Sequence, residues 1–393
     1  MRLALVGPVQ LAPLRPWLQL SDDESARLPH GHGGTPVTQL AVGLLQRGYA
    51  LTIVSLEPSI QAPAAFFGPQ LRLRLGPYRP RHRARDAFRA ERSYIRDALR
   101  QESPDMAHAH WSYEYALGAL SSGCPTLVTV RDWAPTIFRL QPDPYRVVRL
   151  CMNIAVLAKG RRFTVTSPYM QQRLRRWLNK PVELVPNAVG DAIFTDATDA
   201  SGGEGEGNVV IAVNNGFNRR KNVTALLMAF AQVRRCVPTS RLLLIGTDYE
   251  SGGRAERWAL SKGLASGVDF RGPVSHDSLP ELLRSADVFV HPAIEESFGL
   301  VLVEAMAQRV PVIGGESSGA VPWVLGHGEA GILVDVTAPD ELAEAMLNLF
   351  ADPERRACLA AVGFRRAWDE FRVARVIDRY LESYRCLLAE QTA

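Results

Sequence analysis

The chain has 393 residues, 47% hydrophobic and 22% charged. At roughly 150 residues per domain this predicts two domains, or three, and it excludes collagen-like, low-complexity and largely disordered chains. The net charge of +4 conceals an asymmetry. Residues 1–195 carry 25 Lys+Arg against 14 Asp+Glu (+11), and residues 196–393 carry 20 against 27 (−7).

Two solvated surfaces of opposite sign account for that split without a partner. It also leaves room for an anionic partner of the first half: a phosphorylated or lipid-linked acceptor, or peripheral contact with the inner membrane face. No apolar run reaches the roughly 18 residues that cross a bilayer. The opening MRLALVGP runs directly into a buried-strand pattern without a cationic leader, so no signal peptide is expected. Five scattered cysteines without a Cys-x-x-Cys pair argue against a disulfide framework or zinc site, and a reducing cytoplasm is expected. Four lysines against 41 arginines (45 − 4) suggest a high-GC bacterial genome.

Short runs rich in Val, Ile and Leu, apolar on both faces, predict parallel strands covered on both sides. In chain order they are Leu3–Gly7, Leu51–Leu56, Pro125–Val130, Phe163–Thr166 and Val182–Val185, then Val209–Val213, Leu242–Gly246, Val268–Phe270, Val288–His291 and Val310–Ile313. Helical patterns fall between them at Val37–Gln46, Val223–Arg234, Leu279–Ser285, Leu300–Gln308 and Pro339–Phe350. This alternation predicts an α/β fold of two Rossmann-like domains, with a ligand expected in the cleft they face. The Gly/Ser/acidic stretch 196–208 predicts a linker separating an N-terminal domain (1–195) from a C-terminal one (209–370). Ten arginines lie in Arg72–Arg100, within which Arg85–Arg100 is predicted as an amphipathic helix with Ala84, Phe88, Ile95 and Leu99 along one face. The tail Phe371–Leu388 is predicted as a helix that docks back on the N-terminal domain to bury Val376, Tyr380 and Leu387.

The segment Ser285–Ala307 carries the clearest chemistry. A buried strand ends at His291-Pro292, a loop bears Glu295 and Glu296, and Ser297-Phe298-Gly299 is read as opening a helix with Ser297 as its N-cap. A helix start offers free N–H groups and a positive dipole end to an anion. Glu304 follows Glu296 by eight residues, which is read as two helical turns placing both carboxylates on one side. A diphosphate on the helix end, with carboxylates for sugar and ribose hydroxyls, favours glycosyl transfer over the hydrolysis that paired carboxylates alone would suggest.

The phrase His-Pro-x3-Glu-Ser-Phe-Gly-Leu-x3-Glu-Ala-Met-Ala resembles the signature of family 4 retaining glycosyltransferases (glycosyl transferases group 1), whose fold is GT-B. Nearly all of residues 209–350 fits. The first half fits more loosely, through Gly33-Gly34-Thr35, the segment ending His108-Ala109-His110, and Val185-Pro-Asn187. The resemblance implies retention of anomeric configuration, a nucleoside-diphosphate-sugar donor (UDP or GDP), a hydroxyl acceptor, and neither metal nor cofactor. It implies catalytic roles for His110, Lys221 and Glu296, with Glu296 on the donor sugar and Glu304 on the ribose. Gly33, Gly34, Arg271, Ser297, Phe298, Gly299 and Leu300 would line the donor. His110 matches the family histidine by position, and His108 is read as pointing into the strand. The family's His-Asp pair reads Arg131-Asp132 here, on the acceptor side. The family arginine five residues before Lys221 is Gly216, leaving Arg219 or Arg220 to replace it.

Other enzymes fit less well. Gly-x4-Gly-Lys-[Ser/Thr] is absent, strand one ends Gly7-Pro-Val-Gln, and no Asp-x-Asp occurs. A nucleotide-sugar epimerase on the same fold and a non-catalytic nucleotide-sugar-binding protein remain as alternatives. No nucleic-acid partner is expected.

Overall fold

The computed structural model describes residues 2–194 and 208–392, and the side chains through residue 390. The predicted linker therefore lies outside the described residues, apart from Asn208. The chain forms two compact units, residues 1–188 with 373–393, and residues 189–372.

Unit 1 runs β1 Leu3–Val6, α1 Asp22–Arg27, α2 Thr35–Gln46, β2 Leu51–Glu57, β3 Ala64–Phe67, β4 Leu71–Pro77, α3 Arg89–Glu102, β5 Met106–His110 and α4 Glu114–Leu120. It continues β6 Thr126–Val130, α5 Ala134–Leu140, α6 Pro144–Lys159, β7 Arg162–Val165, α7 Pro168–Arg175 and β8 Val182–Leu184. The sheet order is β3-β4-β2-β1-β5-β6-β7-β8, parallel except for the edge strand β3. Alternate residues of β1 face opposite layers, as the two-residue period of a strand requires. Leu3 and Leu5 pack with α2, while Ala4 and Val6 pack with Ile95 and Leu99 of α3.

Unit 2 runs β9 Val209–Val213, α8 Val223–Cys236, β10 Arg241–Ile245, α9 Arg254–Ser261, β11 Val268–Gly272, α10 Leu279–Arg284, β12 Val288–His291, α11 Leu300–Ala307, β13 Val312–Gly315, α12 Val321–Val324, β14 Ile332–Val334, α13 Pro339–Ala351 and α14 Pro353–Phe371. Its order, β11-β10-β9-β12-β13-β14, is fully parallel. Counted within the unit this is 3-2-1-4-5-6, the doubly wound order whose direction reverses between the first and fourth strands. Unit 1 repeats it from β4 onward.

The last helix, α15 Val373–Thr392, returns to unit 1, where Val376, Ile377, Tyr380, Tyr384 and Leu387 join the core around α2.

Four local expectations change. The division falls after Ala188, because Val189 N–H donates to Phe371 O (2.9 Å) and Ile193 is buried beside Leu302 and Met306. The tail helix starts at Val373 rather than Phe371, because α14 ends at Phe371 and extended Arg372 separates it from α15. The arginine-rich helix starts at Arg89, and two of the ten arginines, Arg72 and Arg74, belong to β4. Both of these pair with buried Glu102, while Arg79 pairs with Asp86 and Glu91, so much of that run's charge is neutralised within the unit.

Candidate active site

In unit 2 the strand order reverses between β9 and β12, and the carboxyl ends of these strands are where an open α/β sheet binds ligands. His291 ends β12, fully buried. The loop after it delivers Glu296, and the loop after β9 delivers Lys221. Lys221 Nζ donates to Glu296 Oε2 at 3.0 Å, with both side chains largely buried. The two loops are tied together independently of that pair. Ile294 N–H donates to Arg220 O, and Asn222 Nδ2 donates to Pro292 O and Val336 O. Burial opposes ionisation of Glu296, but Lys221 first, then His291 and Arg220, overcome it and hold the carboxyl well below its usual range. His291 Nε2 lies 3.4 Å from Oε2 without hydrogen-bond geometry, and burial keeps the imidazole neutral-leaning. Both polar atoms of the Asn214 side chain, at the end of β9, are buried with no hydrogen-bond partner among the described residues. Unsatisfied buried polar groups at a switch point indicate a ligand position.

The helix end beside this pair differs from the expectation. Helix α11 begins at Leu300, capped by Gly299 at φ +83°, and Ser297 lies upstream in the loop. A Cβ on Gly299 would stand 2.6 Å from Leu302 Cδ1, so both conformation and space require glycine there. Glu296 precedes the helix, so the eight-residue spacing to Glu304 is not two helical turns. Glu304 sits in the second turn of α11, buried, and accepts from His276 Nε2 at 3.1 Å. That hydrogen bond raises the His276 pKa, against the effect of burial. His276 was not singled out in the sequence, because it reaches Glu304 from 28 residues away.

Phe298 turns its ring into the core, 5.4 Å from Phe371 and 6.3 Å from Trp323, so only its backbone is available to a donor. Leu300 stands half-buried at the helix start. Arg219 is exposed, whereas Arg220 is half-buried and acts electrostatically on both Glu296 and His291. Arg271 is exposed on the edge strand β11 and donates to Asp269 at 2.7 Å. In the sheet, β10 and β9 stand between β11 and β12.

Unit 1 presents a different cluster at the ends of β5, β6 and β7. His108 and His110 are two residues apart in one strand, so they share a face, with ring centroids 4.0 Å apart. His108 therefore does not point away from His110. Its Nδ1 meets Tyr384 Oη (2.8 Å) and its Nε2 meets Thr129 Oγ1 (2.6 Å). His110 Nδ1 meets Arg131 Nη2 at 2.8 Å, and Arg131 Nη1 donates to Asn187 Oδ1. A guanidinium only donates, so His110 Nδ1 accepts and the proton sits on Nε2. That buried Nε2–H has no partner among the described residues. Burial first, then His108 and Arg131, holds the His110 pKa well below its usual value, so the ring is neutral. Asp132 accepts from Tyr113 Oη (2.8 Å) and lines a cavity of about 160 Å³ with Tyr145, Arg146 and Arg149. Gly34 caps α2 at φ +70°, where a Cβ would stand 1.8 Å from Pro8 O, and Gly33 before it is exposed with φ +62°. Among the described residues no group of three or more His, Cys, Asp or Glu is placed to hold a metal ion.

Two parallel sheets of doubly wound order, each with polar side chains gathered at its reversal point, define a GT-B architecture. The sucrose-phosphate synthase from Thermosynechococcus elongatus has the same fold, with TM-score 0.78, 24% identity, and coverage of 99% of this chain and 100% of that one. Residues 33–192 match the model of Glycosyltransferase Family 4, and residues 195–365 match Glycosyl transferases group 1. The chain belongs to this glycosyltransferase family. It is similar to the phosphatidyl-myo-inositol mannosyltransferase of Mycolicibacterium smegmatis, 34% identical over 188 residues, 47% of each chain. It is similar also to the GDP-mannose-dependent monoacylated alpha-(1-6)-phosphatidylinositol monomannoside mannosyltransferase of Corynebacterium glutamicum, 34% identical over 196 residues, 46% of this chain and 50% of that one. The chain spans about half the length of the curated relatives it matches.

Proposed function

We propose that the protein transfers a sugar, with retention, from a nucleoside-diphosphate sugar to an acceptor hydroxyl, and that it does so without a metal. The observation that carries this reading is the buried Lys221–Glu296 pair at the reversal point of unit 2, beside the N-terminus of α11. When a donor enters, Lys221 is the cation that meets the leaving diphosphate, with Arg220 and the free N–H groups at the start of α11 adding positive potential. Their attraction grows as charge develops on the departing phosphate, so it lowers the barrier rather than only tightening binding. Glu296, kept ionised, accepts from sugar hydroxyls, and Glu304 Oε2, free of His276, accepts from the ribose. In unit 1, His110 offers its Nε2–H to a substrate hydroxyl, with Arg131 fixing that tautomer. Ser297, Gly299 and Leu300 offer backbone groups to the donor. The departing phosphate oxygen takes the acceptor proton, so no side chain is assigned as general base.

GDP-mannose is the proposed donor, on the printed specificity of the Corynebacterium glutamicum relative. A lipid-linked, phosphate-bearing polyol is the proposed acceptor class, supported by the phosphatidylinositol substrates in both relatives' names and by the basic first half. The test is incubation of the protein with GDP-mannose or UDP-glucose and phosphatidylinositol in EDTA, with product anomers read by NMR. An α-linked glycolipid is expected from the GDP-sugar. Donor interconversion without acceptor would identify an epimerase instead, and nucleotide binding with no turnover across acceptors a binding protein.

A further inference from the structure

Helix α11 ends in a turn that ordinarily takes glycine. Arg309 N–H donates to Met306 O and Val310 N–H donates to Ala305 O, both at 3.0 Å. That pair of bonds closes a helix in the Schellman manner, and the left-handed position it requires is usually glycine, which has no Cβ to crowd the backbone. Here the position is held by Arg309, at φ +58°. A non-glycine residue fixed in that conformation is strained, and strain of this kind collects at ligand clamps. The side chain gives a reason for arginine. Its guanidinium lies over the Phe364 ring, 3.9 Å from the centroid. Stacking occupies the face of a guanidinium and leaves its N–H edge free to donate. Nε is buried without a hydrogen-bond partner, and Arg309 makes no ion pair with any described residue.

Arg309 borders a cavity of about 360 Å³, within the size range of small-molecule sites. Arg356 of α14 borders it too, and its Nη1 comes only within 3.8 Å of Asp287 Oδ1, beyond hydrogen-bond distance. The other oxygen of Asp287 accepts from Val209 N–H at 2.8 Å. Two guanidinium groups against one carboxylate leave the cavity net positive. The rest of its wall is small and apolar, made by residues such as Pro311, Pro353, Ala357 and Ala361. Helix α11 has eight residues and is about 12 Å long. The cavity therefore lies at the end of α11 opposite Gly299, away from the Lys221–Glu296 pair.

We propose that this cavity of unit 2 binds a small organic phosphate monoester, with its phosphate on Arg309 and Arg356 and its compact apolar body against the alanine and proline wall. A phosphate monoester carries about −1.5 to −2 charges at pH 7 and three terminal oxygens. That matches two guanidinium forks better than the single charge and two oxygens of a carboxylate. A bare inorganic ion would leave the apolar wall unused. The proposal goes beyond sugar transfer, because binding here requires neither donor nor acceptor.

The test is isothermal titration of the full chain with phenyl phosphate, and with inorganic phosphate for comparison. Phenyl phosphate should bind at least about tenfold more tightly than inorganic phosphate, because its ring buries apolar surface. Arg309→Gly and, separately, Arg356→Gln should each weaken phenyl phosphate binding by at least about tenfold. Lys221→Ala should bind phenyl phosphate as the wild type does, which separates this cavity from the donor site whatever nucleotide the protein uses. Glycine suits the left-handed turn, so unliganded Arg309→Gly should melt no lower than the wild type, and lost binding is then not lost fold. Wild-type affinity in both arginine variants, equal affinity for phenyl and inorganic phosphate, loss of binding in Lys221→Ala, or no binding by the wild type would each overturn the proposal. So would a lowered melting temperature of Arg309→Gly with unchanged affinity, which would make the arginine a packing residue.

Discussion

The polar clusters of the two units solve different problems. In unit 1, His108, His110, Thr129 and Tyr384 are neutral, and the buried cation Arg131 meets neutral partners in Asn187, His110 and the Trp111 ring. In unit 2, Lys221 and Glu296 form an ion pair whose charges are available for exchange with a ligand. A network of neutral hydrogen bonds fixes orientation and tautomer. A buried ion pair is a poor source of stability but a strong source of local field. The contrast assigns geometry to unit 1 and charge to unit 2.

The largest effect expected is at Lys221. Lys221→Ala should cost on the order of 3 kcal/mol in the transition state, about two to three decades in kcat, whereas Lys221→Arg should retain part of the rate. The same change leaves Glu296 buried without its first cation. The wild-type pair contributes stability above the unfolded carboxyl value of about 4.3, and loses it as pH falls toward the depressed folded value. Lys221→Ala should therefore melt lower at pH 7 and narrow its gap to wild type in acid. Calorimetry across pH checks this, and an unchanged acid profile would remove the ion pair from the account.

Arg131→Met tests the neutral side. It should lower kcat by about tenfold with little change in KM, since it deprives His110 of orientation rather than removing a substrate contact. Arg131 also helps to hold the His110 pKa down, so its loss lets that pKa rise. An acid limb absent from the wild-type rate profile should then appear. A variant with lowered kcat and a wild-type pH profile would make Arg131 merely structural.

Tyr384→Phe removes the hydroxyl that meets His108 Nδ1. It should destabilise by about 1 to 2 kcal/mol, the cost of leaving a buried polar atom unpaired, and denaturant unfolding reads it.

The smallest effect is at His276. Its raised pKa means that the pair with Glu304 adds stability below about pH 6.5, and that this contribution disappears as pH rises through the folded value. NMR titration should place the imidazole above 6.5 in the wild type and lower in Glu304→Gln. Equal values in both proteins would separate the two residues.

What could be read from the sequence follows the distance over which each feature is encoded. The strands and the Glu296–Glu304 phrase are contiguous, and the helix beginning at Leu300 was legible. The cap was not: Ser297 is a favourable N-cap residue type, but the left-handed conformation of Gly299 sets the boundary. Strand β4 shows its period in Leu71-Arg72-Leu73-Arg74-Leu75, but the ten arginines around it draw the eye to charge instead. The His108–Tyr384 contact spans 276 residues and Lys221–Glu296 spans 75. Neither pairing has a local signal. Glu296 is legible from its loop before a helix start and Lys221 from its motif, whereas nothing near Tyr384 marks it as a partner of His108.

Thermal shift of wild type and Lys221→Ala with GDP and with UDP reads whether Lys221 holds the diphosphate. One of these nucleotides should stabilise the wild type, by about 2.7 kcal/mol at 100 times its dissociation constant, and Lys221→Ala should lose most of that gain. An equal gain in both proteins would show that the diphosphate is held without Lys221 and would contradict the account.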